Sequence, residues 1–185
     1  MATPDPLPFL CTERLELRRL TNHDLDRLVE LDSDPEVMRH ISRGQPTSRQ
    51  RLETEILPRL LSWYEQGPHV GFWAAELKAS GAFIGWFHLR PDRFEPDYME
   101  LGYRLHRAFW GHGFATEMGR ELVTRAETEW GFHRLSGRTL RDNHASQRVL
   151  QKCGLTWAGD FLYPESLLPG WSESERQAVK YVRLG

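Results

Sequence analysis

The stretch Arg107-Ala108-Phe109-Trp110-Gly111-His112-Gly113-Phe114-Ala115-Thr116-Glu117 contains residue types that suit the binding of a phosphate group. Glycine at 111 and 113 lets the backbone turn sharply and lie against a ligand without an intervening Cβ. The residues that follow predict a helix, and the first N–H groups of a helix are unpaired and lie at the positive end of its dipole. A pyrophosphate would bind well there, although a tight turn with two glycines and no ligand would have the same sequence.

The glycine loop (residues 107–113) must be positioned by the elements on either side of it. A strand is predicted from Tyr98 to Leu105, because apolar side chains alternate at Met99, Leu101, Tyr103 and Leu105. A helix is predicted to end near Trp130, because an apolar residue recurs every fourth position at Phe114, Met118, Leu122 and Ala126. The glycines therefore join a strand to a helix.

Two common nucleotide-binding loops do not match this one. A Walker loop would continue with Gly-Lys-Ser/Thr, whereas Gly113 is followed by Phe114-Ala115-Thr116. A dinucleotide fingerprint would place a third glycine or an alanine where Thr116 stands. Coenzyme A is the remaining phosphate-bearing cofactor that is commonly held at a strand–loop–helix in the middle of a chain.

The remaining elements predict one domain built on a mixed sheet with helices on both faces. The residues up to about Leu10 are expected to be loose. Helices are predicted to start at Thr21 or Asn22, at Asp34 and at Thr47 or Ser48, with a kink at Pro58, and Asp142 or Asn143 is predicted to cap a helix through Cys153. The other predicted strands are 15–20, 71–77, 82–89, 132–140, 155–160 and 177–184.

Composition limits the function classes. The formal net charge of −2 over 185 residues argues against a dedicated nucleic-acid binder. The sequence has no membrane-spanning apolar run and no signal at its amino terminus, so a cytoplasmic protein is expected. Neither Cys11 nor Cys153 belongs to a metal or dithiol motif, and the eight histidines lack metal-ligand spacing, so no metal site is predicted.

Three motifs occur in an order that resembles the GNAT acetyltransferase superfamily. They are Glu100-Leu101-Gly102-Tyr103, the run Trp110-Gly111-His112-Gly113-Phe114-Ala115-Thr116-Glu117, and Asn143-His144-Ala145-Ser146 followed by Lys152-Cys153-Gly154-Leu155. The chain is most similar to the RimJ/RimL-type branch, which acetylates α-amino groups of ribosomal proteins, and the likeness runs from Thr12-Glu13-Arg14-Leu15 to Tyr181-Val182-Arg183-Leu184. It implies the GNAT fold, an α/β mixed sheet of about seven strands that splays apart at the cofactor site.

The resemblance also implies acetyl-CoA as the cofactor and a set of residues that contact it. The expected cofactor-binding residues are Tyr103, Leu105, Trp110, Gly111, His112, Gly113, Ala115, Thr116, Asn143 and Ser146. The family often has Gln or Arg where this chain has Ala108. A side-chain contact to phosphate is therefore lost, or is supplied by Arg107 or His112 instead.

Transfer of an acetyl group from a thioester to an amine needs a base, oxyanion donors and an acid for the thiolate. Glu100 is the candidate base, with a pKa expected to be raised by burial, although it could be an exposed strand residue without a role. The oxyanion donors are expected to be backbone N–H groups of the splayed strand. Ser146 is the candidate acid, with Tyr103 and Tyr163 as alternatives, and Asn143 has either a cofactor-side role or only a helix-capping one.

The expected reaction is direct acetyl transfer to a primary amine, either a protein α-amino group or a small molecule. An aminoglycoside acceptor is an alternative, and so is a non-catalytic acyl-CoA-binding module, which Glu100 argues against and Ala108 favours slightly. The acceptor pocket is expected to come from the early helices, the loop after the second long strand and the Tyr163–Trp171 loop. A basic run at Arg39, His40, Arg43, Arg49 and Arg51 is either a solvated face or a site for an anionic acceptor. The oligomeric state stays open, a homodimer being one alternative.

Overall fold

The computed structural model describes residues 8–185, and within that range eight strands form one mixed sheet in the order β1-β2-β3-β4-β5-β6-β8-β7. Every neighbouring pair is antiparallel except β5 and β6, which are parallel. The strands are β1 (Leu10–Cys11), β2 (Leu15–Arg19), β3 (Gly71–Leu77), β4 (Phe83–Pro91), β5 (Met99–Leu105), β6 (Arg134–Leu140), β7 (Thr156–Leu162) and β8 (Gln177–Leu184).

Helices cover both faces of this sheet, as predicted. Between β2 and β3 lie α1 (Leu25–Ser33), α2 (Pro35–Ser42), the single turn α3 (Arg49–Arg51) and α4 (Leu57–Ser62). On the other face lie α5 (Phe114–Thr128), which packs on β5, and α6 (His144–Lys152), which packs on β6 and β7. No helix in the described part of the chain is both long and apolar enough to cross a membrane.

The side chains of β5 alternate between the two faces of the sheet. Met99, Leu101 and Leu105 are buried in the large core that contains α5, and Tyr103 packs against that core. The side chains between them, at Glu100 and Arg104, therefore lie on the opposite face, which α1 to α4 cover. This confirms the period-two reading of the strand.

The parallel pair β5 and β6 separates after a short contact. The two strands pair only at Met99 with Leu135 and at Glu100 with Ser136. Strand β6 is instead held along its whole length by β8, with Arg134 opposite Leu184 and Leu140 opposite Ala178. A gap therefore opens between β5 and β6 beyond Glu100, which is the splayed arrangement that the resemblance implied.

Helix starts follow the predicted capping residues. The side chains of Asp34, Ser48 and Asn143 each accept a hydrogen bond from a backbone N–H in the first turn of α2, α3 and α6. Just before Pro58, where a kink was predicted, the chain forms a π turn over Leu52–Ile56 in which Leu57 N–H donates to Leu52 O.

The start of the described chain differs from the prediction. Part of the segment predicted to be loose, residues 1–7, lies outside the described residues. Leu10, however, is buried in β1 opposite Leu17, and Phe9 stacks on Trp73 with ring centroids 4.3 Å apart. The prediction of looseness up to Leu10 was therefore wrong at its end, because a two-residue strand is too short to show alternation.

The apolar face of α5 is expected to carry much of the stability. Leu122 is fully buried between the helix and the sheet, so Leu122→Ala should lower the free energy of unfolding by about 2–5 kcal/mol. Urea unfolding followed by circular dichroism measures the change. Thr124→Ala, on the exposed side of the same helix, is the control and should change stability by less than about 0.5 kcal/mol. Equal effects of the two changes would contradict this assignment of the buried face.

Candidate active site

The glycine loop leaves the first amides of α5 available to a ligand. Gly111 and Gly113 have φ of 79° and 83°, values that favour glycine, and Gly113 is the N-cap residue, which has no side chain to cap the helix. Glu117 is the first residue whose N–H bonds back to the start of the helix, and it donates to Gly113 O at 2.9 Å. The N–H groups before Glu117 therefore have no acceptor within the helix, which leaves them available to an anion.

Contacts from distant parts of the chain hold this loop. The guanidinium of Arg14 pairs with Glu117, donates to His112 O at 3.1 Å and lies over the ring of Phe114. The indole N–H of Trp110 donates to Leu105 O at 2.8 Å, which ties the loop to the end of β5. Trp110 and Leu105, both expected to bind the cofactor, thus also support the loop.

Arg14 is the basic side chain that stands nearest to the loop's second glycine. A Cβ on Gly113 would lie 3.6 Å from Arg14 Nη2, and nothing lies within 4 Å of the corresponding point on Gly111. The ring of His112 instead stacks on Phe114, with centroids 5.7 Å apart. Sequence reasoning gave Arg14 no role, and its only signal was its place in the Thr12-Glu13-Arg14-Leu15 motif.

Ala115 and Thr116 lie half-buried in the first turn of α5, behind the exposed loop. Thr116 O lies 3.9 Å from Cys153 Sγ, across the contact between α5 and α6. The two residues belong to the same helix start, and their amides rather than their side chains are placed for a ligand.

Tyr103 on β5 and Ser146 on α6 are neighbours. Burial raises the pKa of Tyr103 to about 12, and a hydrogen bond with Ser146 partly offsets that rise. Asn143 Oδ1 accepts from Ser146 N–H at 3.1 Å. The capping role of Asn143 is therefore confirmed, and its side-chain NH₂ group is left for another partner.

Glu100 lies on the other face of β5, among charged and aromatic groups. Its carboxylate is 14% exposed, 2.5 Å from Arg90 Nη2 and 3.7 Å from His88 Nε2. Burial tends to raise the pKa of Glu100, but the contacts with His88, Arg90 and Arg93 outweigh it and leave the pKa below its usual value. The prediction of a raised pKa was therefore wrong, because cross-strand partners cannot be read from one strand.

His88 was missed by the sequence reasoning. It lies on β4 opposite Gly102, is buried, and its pKa is lowered by that burial despite the neighbouring Glu100. Its alternation with Trp86 and Arg90 along β4 was the available signal, since all three lie on the face of Glu100.

The remaining candidate acid, Tyr163, lies on the Glu100 side of the site. Burial and the nearby carboxylate of Glu100 raise the pKa of Tyr163. The structure thus separates the three candidates, with Tyr103 and Ser146 together on one side and Tyr163 on the other.

A cavity of about 620 Å³ lies between α2, the start of α6 and the loop before β8. It is lined on one side by Asp142 and His144, which flank Asn143, and on the other by Arg43 and Trp171. The cavity therefore borders the predicted cofactor site and lies between the early helices and the last loop, as expected, but the loop after β4, which was also expected to contribute, does not line it.

The predicted basic run does not form one positive surface. Each of its members has an acidic partner, in the pairs Arg39–Glu36, His40–Asp142, Arg43–Glu175, Arg49–Asp26 and Arg51–Glu55. These contacts favour the interpretation of most of the run as a solvated, paired face. Arg39, His40 and Arg43 nevertheless line the cavity.

Comparisons with known proteins agree with this geometry. Residues 14–156 match the model of the acetyltransferase (GNAT) domain. The chain is 34% identical over 176 residues to FsC-acetyl coenzyme A-N(2)-transacetylase of Aspergillus fumigatus, covering 91% of this chain and 74% of that protein.

Solved structures show the same fold at low identity. The microcin C7 self-immunity acetyltransferase MccE, in complex with acetyl-CoA and AMP, has a TM-score of 0.77 and 16% identity over 99% of this chain and 98% of its own. RimL, the ribosomal L7/L12 alpha-N-protein acetyltransferase, in complex with coenzyme A, has a TM-score of 0.75 and 17% identity over 96% and 97% of the two chains.

Blocking the glycine loop should prevent acetyl-CoA from stabilising the protein. Acetyl-CoA should raise the melting temperature of the wild type, and Gly111→Val should abolish the rise, because a side chain at this exposed turn would stand between the amides and the phosphates. Differential scanning fluorimetry measures both. Gly81→Val is a matched control, since Gly81 also has a positive φ and nothing within 4 Å of its Cβ position, but lies in the β3–β4 turn. A rise retained in the Gly111 variant would remove the loop from the cofactor site.

The residues present fit a coenzyme A cofactor. Uncapped amides and two open glycines stand at the start of α5, and a gap between parallel strands leads from there past Tyr103. The family model spans more than half of the chain and includes all of these features. The chain therefore belongs to the GNAT acetyltransferase family, and it is an acetyl-CoA-dependent enzyme that transfers acetyl groups to an amine.

Proposed function

We propose that the chain acetylates a polar primary amine by direct attack in a ternary complex, without an acetylated enzyme. The observation that carries this proposal is the position of β5, which has the cofactor gap along one edge and Glu100 on the face that leads away from the core. An acetyl-cysteine route has little support at Cys153, because burial raises the pKa of that thiol to about 12.

Different groups of the chain bind different parts of the cofactor. The amides at the start of α5 bind the pyrophosphate, and Arg14 holds the loop and adds a positive charge beside it. The NH₂ group of Asn143 and the backbone edge of β5 past Glu100 orient the arm of the cofactor. Acetyl-CoA supplies the acetyl group as an activated thioester.

Ser146 and Tyr103 supply the general acid of the site. Tyr103 stays protonated at neutral pH, since burial raises its pKa to about 12, and a proton can pass through the Ser146 hydroxyl that it contacts. Glu100 supplies the general base, because its ionised carboxylate can attract an ammonium group and receive its proton.

The acceptor enters through the cavity between α2 and the loop before β8. Guanidinium and carboxylate groups line this cavity, among them Arg43, Arg141, Asp142 and Glu175, so a charged or strongly polar acceptor fits better than an apolar amine. The name of the Aspergillus relative describes transfer to an N(2) position. An α-amino group, in a protein N-terminus of the RimJ/RimL type or in a small molecule, is therefore the first acceptor class to test.

An acceptor screen tests this assignment. Release of free thiol from acetyl-CoA should be detected with α-amino compounds, either short peptides or amino-acid derivatives. Alkyl amines without a second polar group should react at no more than about one tenth of that rate, because they leave the charged cavity groups unpaired. Aminoglycosides form the third arm of the screen. Faster turnover with aminoglycosides would replace the α-amino assignment, and faster turnover with alkyl amines would refute the role of the cavity.

Removing the charge of Glu100 should slow turnover at every pH near neutrality. Glu100→Gln should lower kcat about 100-fold or more, and the deficit should be the same from about pH 7 to about pH 9. The sign follows from the pKa of Glu100, which lies below its usual value and keeps the wild-type carboxylate ionised throughout this range. Steady-state thiol-release kinetics give kcat, with Glu16→Gln on β2 as the control. Turnover equal to that of the wild type would make Glu100 structural.

A further inference from the structure

His88 is a buried histidine with no hydrogen-bond partner. Its ring lies on the acceptor-side face of β4, 4.8 Å from the ring of Phe72 and 5.8 Å from that of Trp86, measured between centroids. Neither Nδ1 nor Nε2 is accessible to solvent or bonded to another group. Buried polar atoms are seldom left this way, and such exceptions often have a chemical role.

The space for this ring exists because residue 102 is glycine. His88 and Gly102 are direct cross-strand partners. A Cβ on Gly102 would lie 2.4 Å from Cε1 and 2.7 Å from Nε2 of His88, which is too close for any side chain. The absence of a side chain lets the ring lean along β5 towards Glu100.

The carboxylate of Glu100 is the acid that faces this ring. Its Oε2 lies 3.7 Å from His88 Nε2, slightly beyond a hydrogen bond, and the same oxygen is 2.5 Å from Arg90 Nη2. The other charged groups facing the ring are Arg90 on its own strand and Arg104 on β5, each paired with an acid, Glu100 and Asp32 respectively. A small shift of either side chain would join His88 and Glu100 directly.

Glu100 alone is a poor place for a proton to remain. The pKa of its carboxylate is lowered by Arg90 and His88, so a proton received from an ammonium group must move on. The neutral imidazole at 3.7 Å is the neighbouring group with a free lone pair, and a nearby carboxylate stabilises the imidazolium that results.

We propose that His88 is a proton relay behind Glu100, taking up at Nε2 the proton that leaves the acceptor's ammonium group. The inference rests on the proposed function of Glu100. The N–H bond of the ammonium breaks, its electron pair stays on nitrogen as the nucleophilic lone pair, and the proton passes through Glu100 to the lone pair of Nε2. The imidazolium then returns the proton to Glu100, whose side chain is 14% exposed, and from there it passes to solvent, so His88 is unchanged after each turnover. His88 acts through Glu100 and is a positioning residue.

The coupling of the two groups can be measured without cofactor or acceptor. Protein labelled with ¹⁵N-histidine is titrated by NMR, and the His88 signals are identified by their loss in His88→Gln. Glu100→Gln should move the midpoint of the His88 titration to lower pH by about one unit or more, because it removes the anion that stabilises the imidazolium. An unmoved midpoint, or a wild-type ring that stays neutral down to about pH 4, would overturn the proposal. This outcome is independent of whether any acceptor has been found.

The relay also predicts a change in the pH profile of turnover. In the wild type, kcat should fall as the pH drops through the midpoint of His88, since a protonated ring cannot accept a proton. His88→Gln should lower kcat at neutral pH about tenfold or more and remove that fall, while the KM for acetyl-CoA stays unchanged. A kcat that is lowered with the acid limb unmoved would mean a purely structural role and would refute the relay.

Two further variants separate the relay from general damage to the fold. Gly102→Ala keeps His88 but occupies the space of its ring, and it should lower kcat as His88→Gln does, with the KM for acetyl-CoA again unchanged. His133→Gln, at an exposed histidine just before β6, is the control and should leave the profile as in the wild type. Wild-type kcat in Gly102→Ala would contradict the proposed position of the ring.

Discussion

The separation of β5 from β6 is the constraint on which the site depends. Parallel strands normally pair along their length, yet these two pair at only two positions and then diverge. The backbone groups on that edge of β5 are left for another partner, and the helix that follows β5 begins where the gap opens. A ligand with a diphosphate at one end and an extended arm would fit both features together, as the proposed cofactor site requires.

The alternation of side chains along β5 also places different functional groups on the two faces of the sheet. Leu101 and Tyr103 face the core under α5, whereas Glu100 and Arg104 face the layer of α1 to α4. Charge on that second face is expensive to bury unless it is paired. The ion pairs of Arg104 with Asp32 and of Arg18 with Asp24 and Glu76 meet this requirement, so a polar acceptor region is compatible with a stable fold.

Local periodicity predicted most of the architecture, because it depends only on neighbours along the chain. The apolar alternation of β5, the four-residue repeat of α5 and the cap at Asn143 were all confirmed. The features that were missed depend on contacts across the chain. Arg14 meets Glu117 over a separation of 103 residues, and the pKa of Glu100 is set by Arg90 and His88 on the next strand. The basic run was ambiguous for the same reason, since its acidic partners include Asp142 and Glu175.

The short pairing between β5 and β6 has a mechanical consequence. The sheet consists of two half-sheets, one from β1 to β5 and one from β6 to β8, which share only two residue pairs. Few ladder hydrogen bonds join the two half-sheets, and they are also held together by the packing of α5 on α6 and by the buried contacts of Asp92 with Ser136 and Arg138. A donor molecule bound in this seam, as we propose, would contact both half-sheets at once and would stiffen the enzyme along the line where the sheet has fewest ladder hydrogen bonds.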